Sequence, residues 1–446
     1  MMPLLRPIAL TALIALLGMV SLDAVSAEEL RTAVWPSFQN GGHLSVSGGK
    51  LPTKWSADEN IAWQADIEGY GQSTPVVSSD QQIIVTSTSG PNKENYHVAA
   101  FALASGEKLW QQDFANPSPV ENNAYVSRAA PTPILDADGI IAYFEGGVVA
   151  ALKQDGSVRW QKNLVDEYGK IESRHGLASS LEQTDDAVFV WVERSEEPYL
   201  LALKKSDGSP LWKVPGLGST SWSSPRLIPV DGQEQLVCSS SGKIAGFDPA
   251  TGERLWDFDQ ISNNTTCTPM PLGDGRFLIG ASDGRGETAA QTDGTSNGVI
   301  QIQKDADGKY AAKFAWQAEK AKSSFGSPIA ADGHAWFVNR SGVLFGVDLK
   351  SGEQTASSRL ATGGVWATPL QNDKLLYVFG SKGTTSIIDM TEGDSIAENA
   401  LWTADEPAEG ERSSGGEIIY SAVAVPPYLL IRTGSRLVAI KEETSK

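Results

Sequence analysis

Short apolar runs, three or four residues long and set between polar, glycine-centred turns, recur through most of the chain. Ile83-Ile84-Val85, Ile140-Ile141-Ala142-Tyr143, Val188-Phe189-Val190, Phe277-Leu278-Ile279 and Leu375-Leu376-Tyr377-Val378 are too short for core helices. Rich in β-branched and aromatic residues and bounded by Gly, Asp and Pro, they predict strands. A Ser/Thr-Pro step precedes many of them: Thr74-Pro75, Thr132-Pro133, Ser224-Pro225, Thr268-Pro269, Ser327-Pro328 and Thr368-Pro369. A hairpin follows each. Residues 100–110 and 246–256 share Ser/Thr-Gly-Glu-basic-Leu-Trp, and residues 202–212 keep the length with Asp207-Gly208 at the turn. Residues 151–160 are one shorter, and residues 346–356 keep Ser351-Gly352-Glu353 but end on alanine. The glycine, Gly252 in the fullest copy, supplies the positive φ that such turns demand.

Each unit is therefore four strands, A to D. The D-strand landmarks are Trp63, Trp110, Trp160, Trp212, Trp256, Trp316, Leu360 and Trp402, at intervals of about 42 to 60 residues. Four-stranded units at that period predict an all-β, eight-bladed β-propeller of antiparallel blades. Trp63 has no A to C strands before it. The C-terminal part has three strands, 418–420, 428–431 and 437–440, and no fourth. The two deficits match, so an N-terminal strand at residues 60–64 completes the eighth blade and closes the ring, removing the free sheet edges. The landmark tryptophans are expected to pack between blades.

Composition narrows the partners. The chain has 446 residues, 36 basic and 54 acidic, for a net charge of −18. That excludes a phosphate-reading nucleic-acid partner and an anionic membrane surface. Residues 1–27 read as a signal peptide: Arg6, an apolar run at 8–20 too short to span a bilayer, and Val25-Ser26-Ala27 before the cut. No cysteine follows that run, so no lipid anchor is expected. The organisation is then a signal at 1–27, a lead-in at 28–59, a propeller at 60–440 and a tail at 441–446. A periplasmic or secreted monomer is expected. Export permits a disulfide between Cys238 and Cys267; the alternative is two buried thiols. Asp136-Ala137-Asp138-Gly139 and Asp305-Ala306-Asp307-Gly308 are hairpin turns rather than calcium loops, because the remaining ligands are absent. No zinc motif, phosphate loop or nucleophile elbow occurs.

The repeat at residues 248–256, Asp-Pro-Ala-Thr-Gly-Glu-Arg-Leu-Trp, resembles the tryptophan-docking repeat of the quinoprotein eight-bladed propellers, and the resemblance covers about residues 55–440. WD and kelch signatures are absent. The resemblance implies one of two branches. Quinoprotein dehydrogenases hold pyrroloquinoline quinone (PQQ) with Ca²⁺ on the axis. The BamB-like branch is a non-enzymatic binding scaffold. The chain lacks an adjacent Cys-Cys pair, long covering insertions and a recognisable calcium set, so it looks like the BamB-like branch. No catalytic, cofactor or metal residue is assigned.

Strand parity locates a site. The B–C loops and D–A connections share one face, and the long segments (87–96, 112–130, 163–177, 282–298 and 403–416) all fall there. Residues just ahead of the A strands rim the channel on that face: Tyr70, Gln72, Arg128, Arg174, His175, Trp222, Phe325 and Trp366. Aromatics with scattered cations make a binding surface. A protein or peptide partner in the cell envelope is the expected occupant; a PQQ- and Ca²⁺-dependent dehydrogenase and a carbohydrate-binding propeller are the alternatives.

Overall fold

The computed structural model describes residues 33–121, 127–173, 175–282, 296–323, 325–402 and 417–442. The expected signal peptide and Arg174 lie outside them. Eight antiparallel sheets follow one another along the chain. Blade 1 comprises Val76–Ser78, Gln82–Ser89, Asn95–Ala102 and Lys108–Ala115 as strands A to D. Blades 2 to 7 repeat the meander, and their A strands begin at Ile134, Glu182, Arg226, Met270, Ile329 and Leu370. Blade 8 has Ser421–Val425, Tyr428–Arg432 and Arg436–Ile440 as A to C. Its D strand is Ile61–Asp66, with Ile61 opposite Ile440 and Asp66 opposite Arg436. The ring is closed by an N-terminal strand, as the matched deficits required. Strand A of this blade lies at Ser421–Val425 rather than 418–420, which leaves Tyr420 ahead of the sheet.

Inter-blade tryptophans clasp the ring. Trp63 Nε1 donates to the Leu103 carbonyl at 2.9 Å, Trp110 to Gln154, Trp160 to Lys205, Trp212 to Pro249 and Trp316 to Leu349. In each case the acceptor lies in the C–D turn of the next blade. The indole covers that turn's glycine so closely that a Cβ on Gly252 would lie 2.7 Å from the Trp212 ring. Two landmarks behave differently. Trp256 donates within its own blade to Gln235 Oε1, and Trp402 covers Gly383 of its own blade.

The segment read as a lead-in is part of the ring. Call Ala33–Trp35 β1 and Ser45–Val46 β2. β1 pairs antiparallel with strand A of blade 1, and β2 pairs parallel with strand A of blade 7. All A strands run away from the loop-rich face. The segment therefore enters from the opposite mouth, climbs the channel, turns under the loop-rich mouth and descends. The turn, Phe38–Gly42, is left-handed: φ is 54° at Gln39, 51° at Asn40, 64° at Gly41 and 94° at Gly42. Such residues cost about 1–2 kcal/mol each outside glycine, so the walls must hold them. Gln39 Nε2 donates to Ser327 Oγ and Thr368 Oγ1, both at 2.9 Å. The Arg226 guanidinium donates to the Phe38 carbonyl and Gln39 Oε1, each at 3.2 Å. Arg226 is in turn paired with Glu182 at 3.4 Å, both buried. Trp35, Leu44, Leu51 and Trp55 are buried in the cluster that also holds much of blades 6 to 8. The descending arm leaves past Asn372, which accepts from Leu51 N, and Glu442, which accepts from Lys54 N.

Cys238 and Cys267 are both buried and are not joined to each other, so the permitted bridge is not formed. Cys238 packs in the apolar layer between blades 3 and 4. Cys267 lies at the entry to blade 5, with its thiol toward the Gly326 carbonyl. Burial pushes both thiols up, Cys267 to about 12.

Candidate functional site at the loop-rich mouth

The Ser/Thr-Pro steps precede six of the eight A strands, and Ser180 stands at the matching place before blade 3. The inner edge of each A strand faces the channel, and among the described residues only those of blades 1 and 7 are paired there, with β1 and β2. At the start of the strands, hydroxyls take the backbone donors. Thr74 N donates to Thr132 Oγ1, Thr132 N to Ser180 Oγ, and Ser180 N to Ser224 Oγ, at 2.9–3.0 Å. Ser224 N donates to Thr268 Oγ1, Thr268 N to Ser327 Oγ and Ser327 N to Thr368 Oγ1, at 2.9–3.2 Å. This hydroxyl belt runs from blade 1 to blade 7. It satisfies backbone donors that burial would otherwise strand, and Gln39 of the plug docks onto it.

Above the belt, the residues ahead of the A strands form two groups. The Arg128 guanidinium lies 3.4 Å from the Tyr70 ring centre. The Tyr70 and Tyr420 hydroxyls are 2.8 Å apart. Trp366 meets Tyr420 edge-on at 5.8 Å and stacks on Phe325 at 4.4 Å. These five side chains make an arc across blades 1, 2, 6, 7 and 8. Gln72 and Arg128 exchange two hydrogen bonds that fix the Arg128 backbone. His175 and Trp222 form a separate pair, 5.8 Å between ring centres. Of the residues predicted from sequence, the structure therefore joins Tyr70, Gln72, Arg128, Phe325 and Trp366, and sets His175 with Trp222 apart from them. Tyr420 was missed because it was assigned to a strand interior; its place directly before Ser421, at the start of an A strand, was the available signal.

Arg128 is the one charged side chain of the arc. Burial, with the hydrogen bond that the Tyr70 hydroxyl donates to Tyr420, pushes the Tyr70 phenol up, so it stays protonated. Beneath it Arg432 is fully buried and donates to the Thr86 and Thr433 carbonyls. Burial lowers its pKa, but a guanidinium remains charged. Below the arc, a cavity of about 60 Å³ is enclosed by the plug (Trp35, Phe38, Gln39, Leu44), the rim (Phe325, Trp366, Tyr420) and belt residues.

One further cluster was not visible in sequence. Ser89 Oγ lies 2.8 Å from His97 Nε2, and His97 Nδ1 lies 2.7 Å from Asp113 Oδ1. The order is that of a hydrolase relay. Here, however, the imidazole is buried and the carboxylate is exposed, and a Cβ on Gly69 would lie 3.2 Å from that of Ser89. We read it as a clasp across strands B, C and D of blade 1, where the sequence had suggested a loop at 87–96.

A closed eight-bladed propeller with tryptophan clasps and a loop-rich rim defines the quinoprotein-like propeller class. Within it, a family model described as outer membrane protein assembly factor BamB matches residues 20–176, 170–353 and 296–446. The chain belongs to that family. It is 27% identical over 221 residues to the outer membrane protein assembly factor BamB of Burkholderia pseudomallei (strain K96243), covering 48% of this chain and 52% of that protein. The chain thus spans about half the length of that relative. The BamB of Shewanella oneidensis (strain MR-1) is 22% identical over 311 residues, 69% of this chain and 68% of that protein. Among solved structures, BamB from Moraxella catarrhalis superposes with a TM-score of 0.57 at 14% identity, covering 85% of this chain and 99% of that one. The quinohemoprotein alcohol dehydrogenase of Comamonas testosteroni superposes with a TM-score of 0.59 at 11% identity, covering 94% and 82%. At these identities the structural likeness shows the fold alone.

Proposed function

We propose that the chain is an exported, non-enzymatic scaffold that docks a protein or peptide of the cell envelope on its loop-rich face, without a quinone. The observation that carries this reading is the stacked Phe325–Trp366 pair, 37% and 40% exposed at the mouth of the channel. Aromatic side chains beside an arginine, held on rigid elements, are the usual anchors of protein interfaces. Its relatives, outer membrane protein assembly factors, point the same way. Among the described residues no helix is long and apolar enough to cross a membrane.

Two observations support a reading without a quinone and calcium at this mouth. The plug leaves about 60 Å³ below the rim, against roughly 300 Å³ or more for a pocket that takes a drug-sized ligand. Among the described residues no three His, Cys, Asp or Glu side chains are grouped to hold a metal ion. Two experiments test the reading. Crosslinking capture from the native envelope should recover a partner with the wild type and lose it in Arg128→Ala/Trp366→Ala, whose thermal unfolding stays near wild type. Capture that survives in this double variant counts against the face. Adding PQQ with Ca²⁺ should give no stoichiometric quinone absorbance and no dye reduction; quinone uptake would overturn the cofactor-free reading.

A further inference from the structure

The floor of the rim holds two buried polar atoms that the fold leaves without partners. Trp35 is 1% exposed and Ser421 7%. Both line the cavity under the arc. Neither the Trp35 indole N–H nor the Ser421 hydroxyl meets a hydrogen-bond partner among the described residues. The belt makes the gap unusual. Between blades 1 and 7, successive Ser/Thr hydroxyls each take a backbone N–H. Ser421 begins strand A of blade 8, and there the pattern stops. Leaving a buried donor unmatched costs roughly 1–3 kcal/mol, so two orphans in one cavity point to an occupant.

We propose that this cavity is a subsite of the docking face, taking a short, neutral, oxygen-bearing group from a docked polypeptide: an amide carbonyl or a hydroxyl. The inference rests on the docking reading above. An indole N–H only donates, so the occupant must accept; the serine hydroxyl can donate to the same oxygen. Phe38, Leu44, Trp366 and Leu370 supply apolar walls. The only ionisable side chain lining the cavity is the Tyr420 phenol, so a carboxylate or ammonium would be buried unpaired, which is costly. A volume of about 60 Å³ exceeds the roughly 10–15 Å³ that one water needs, so a small group can enter. Outside the cavity the charged partner of the arc is Arg128, stacked on Tyr70; the other ionisable groups of the rim set among the described residues are the Tyr70 and Tyr420 phenols and His175. Among those described rim residues there is no carboxylate, so a polypeptide with acidic flanks is the complementary occupant.

Full-length protein carrying 5-fluorotryptophan tests this. The Trp35 fluorine resonance is assigned with Trp35→Phe, and acetamide and acetate serve as probes. Acetamide should shift that resonance saturably, and acetate should not. Ala422→Leu places a larger side chain at the cavity wall and should abolish the shift. Ser421→Ala should weaken acetamide roughly three- to tenfold. The proposal is overturned by no saturable response to acetamide, which leaves the cavity to water, by an equal response to acetate, or by a response that survives Ala422→Leu with an otherwise native spectrum. If Ala422→Leu does not fold, unchanged acetamide affinity in Ser421→Ala overturns it instead. Envelope capture separates the two readings. Capture lost in Trp366→Ala but kept in both cavity variants overturns the subsite alone. Capture kept in Trp366→Ala overturns the docking reading, while an acetamide-specific shift still supports the chemistry of the cavity.

Discussion

Two glycines with nearly the same backbone test whether the N-terminal hairpin is seated in the channel. Gly42 has φ +94° and Gly48 has φ +90°. A Cβ on Gly42 would lie 2.5 and 2.7 Å from the Cδ and Cγ of Pro271 in blade 5, whereas one on Gly48 would meet nothing within 4 Å. Gly48→Ala therefore carries only the left-handed penalty, about 1–2 kcal/mol. Gly42→Ala carries the same penalty plus an overlap with a proline ring that cannot rotate away, about 1–3 kcal/mol more. The total, about 2–5 kcal/mol, is capped by the cost of unseating the hairpin, which forfeits the bonds of Gln39 to Ser327 and Thr368 and those of Arg226 to the turn. Urea unfolding followed by tryptophan emission gives the two losses. Hydrogen exchange at residues 33–46 shows whether the hairpin opens ahead of the ring, as capping predicts. Equal losses in the two variants would refute the reasoning, because Gly42 would then not be pressed against the channel wall.

The clasp predicts that Trp212→Ala costs about 3 kcal/mol in chemical denaturation. Trp212→Phe, which keeps a ring over Gly252 but loses the bond to Pro249, should cost about 1 kcal/mol beyond the lost contact area. Burial raises the Glu193 carboxyl, which accepts from Leu217 N, Gly218 N and the Trp191 indole. A raised acid binds its proton more tightly in the folded state. Its contribution is therefore complete below the ordinary carboxylate pKa and lost as pH rises through the raised value. Glu193→Gln should flatten that part of the stability–pH curve, and an unchanged slope in urea titrations would contradict it. Iodoacetamide should spare Cys238 and Cys267 in the native protein and label both after denaturation without reductant; a pair that labels only after reduction, or labelling of the native protein, would contradict two buried, unbridged cysteines.

The ring was legible because its signals repeat. Any one hairpin such as residues 246–256 is ambiguous, but the Gly-turn and tryptophan recur, gripping the next blade at five of the eight junctions, and the orphan strand at Trp63 fixed the closure. Part of the rim was legible for the same reason: Phe325 and Trp366 each lie two residues before a Ser/Thr-Pro step. The hairpin plug was not. Gln39 and Asn40 adopt φ values that their types rarely take, and what holds them is Arg226, Ser327 and Thr368, far away in sequence. Trp35 ends a three-residue apolar run and Leu44 stands alone among polar residues, with no period to read. The belt was half legible, since the sequence shows the repeated hydroxyls but not that each receives its neighbour's N–H.

The plug also changes what the axis of this propeller can do. An open channel lets ligands approach between blades and lets rim side chains fold inward. Here Gln39 bonds to blades 6 and 7, Arg226 of blade 4 holds the turn, and β1 and β2 pair with blades 1 and 7. Five blades are thus tied through the axis, counting Leu135 of blade 2, whose N–H donates to the Pro36 carbonyl. Side chains above such a floor cannot sink, so Phe325 and Trp366 remain exposed by construction. Holding apolar groups at a fixed surface lowers the ordering cost of binding. Among the described residues, the cavity beneath Tyr420 at blade 8 interrupts that support, and the proposed subsite lies there.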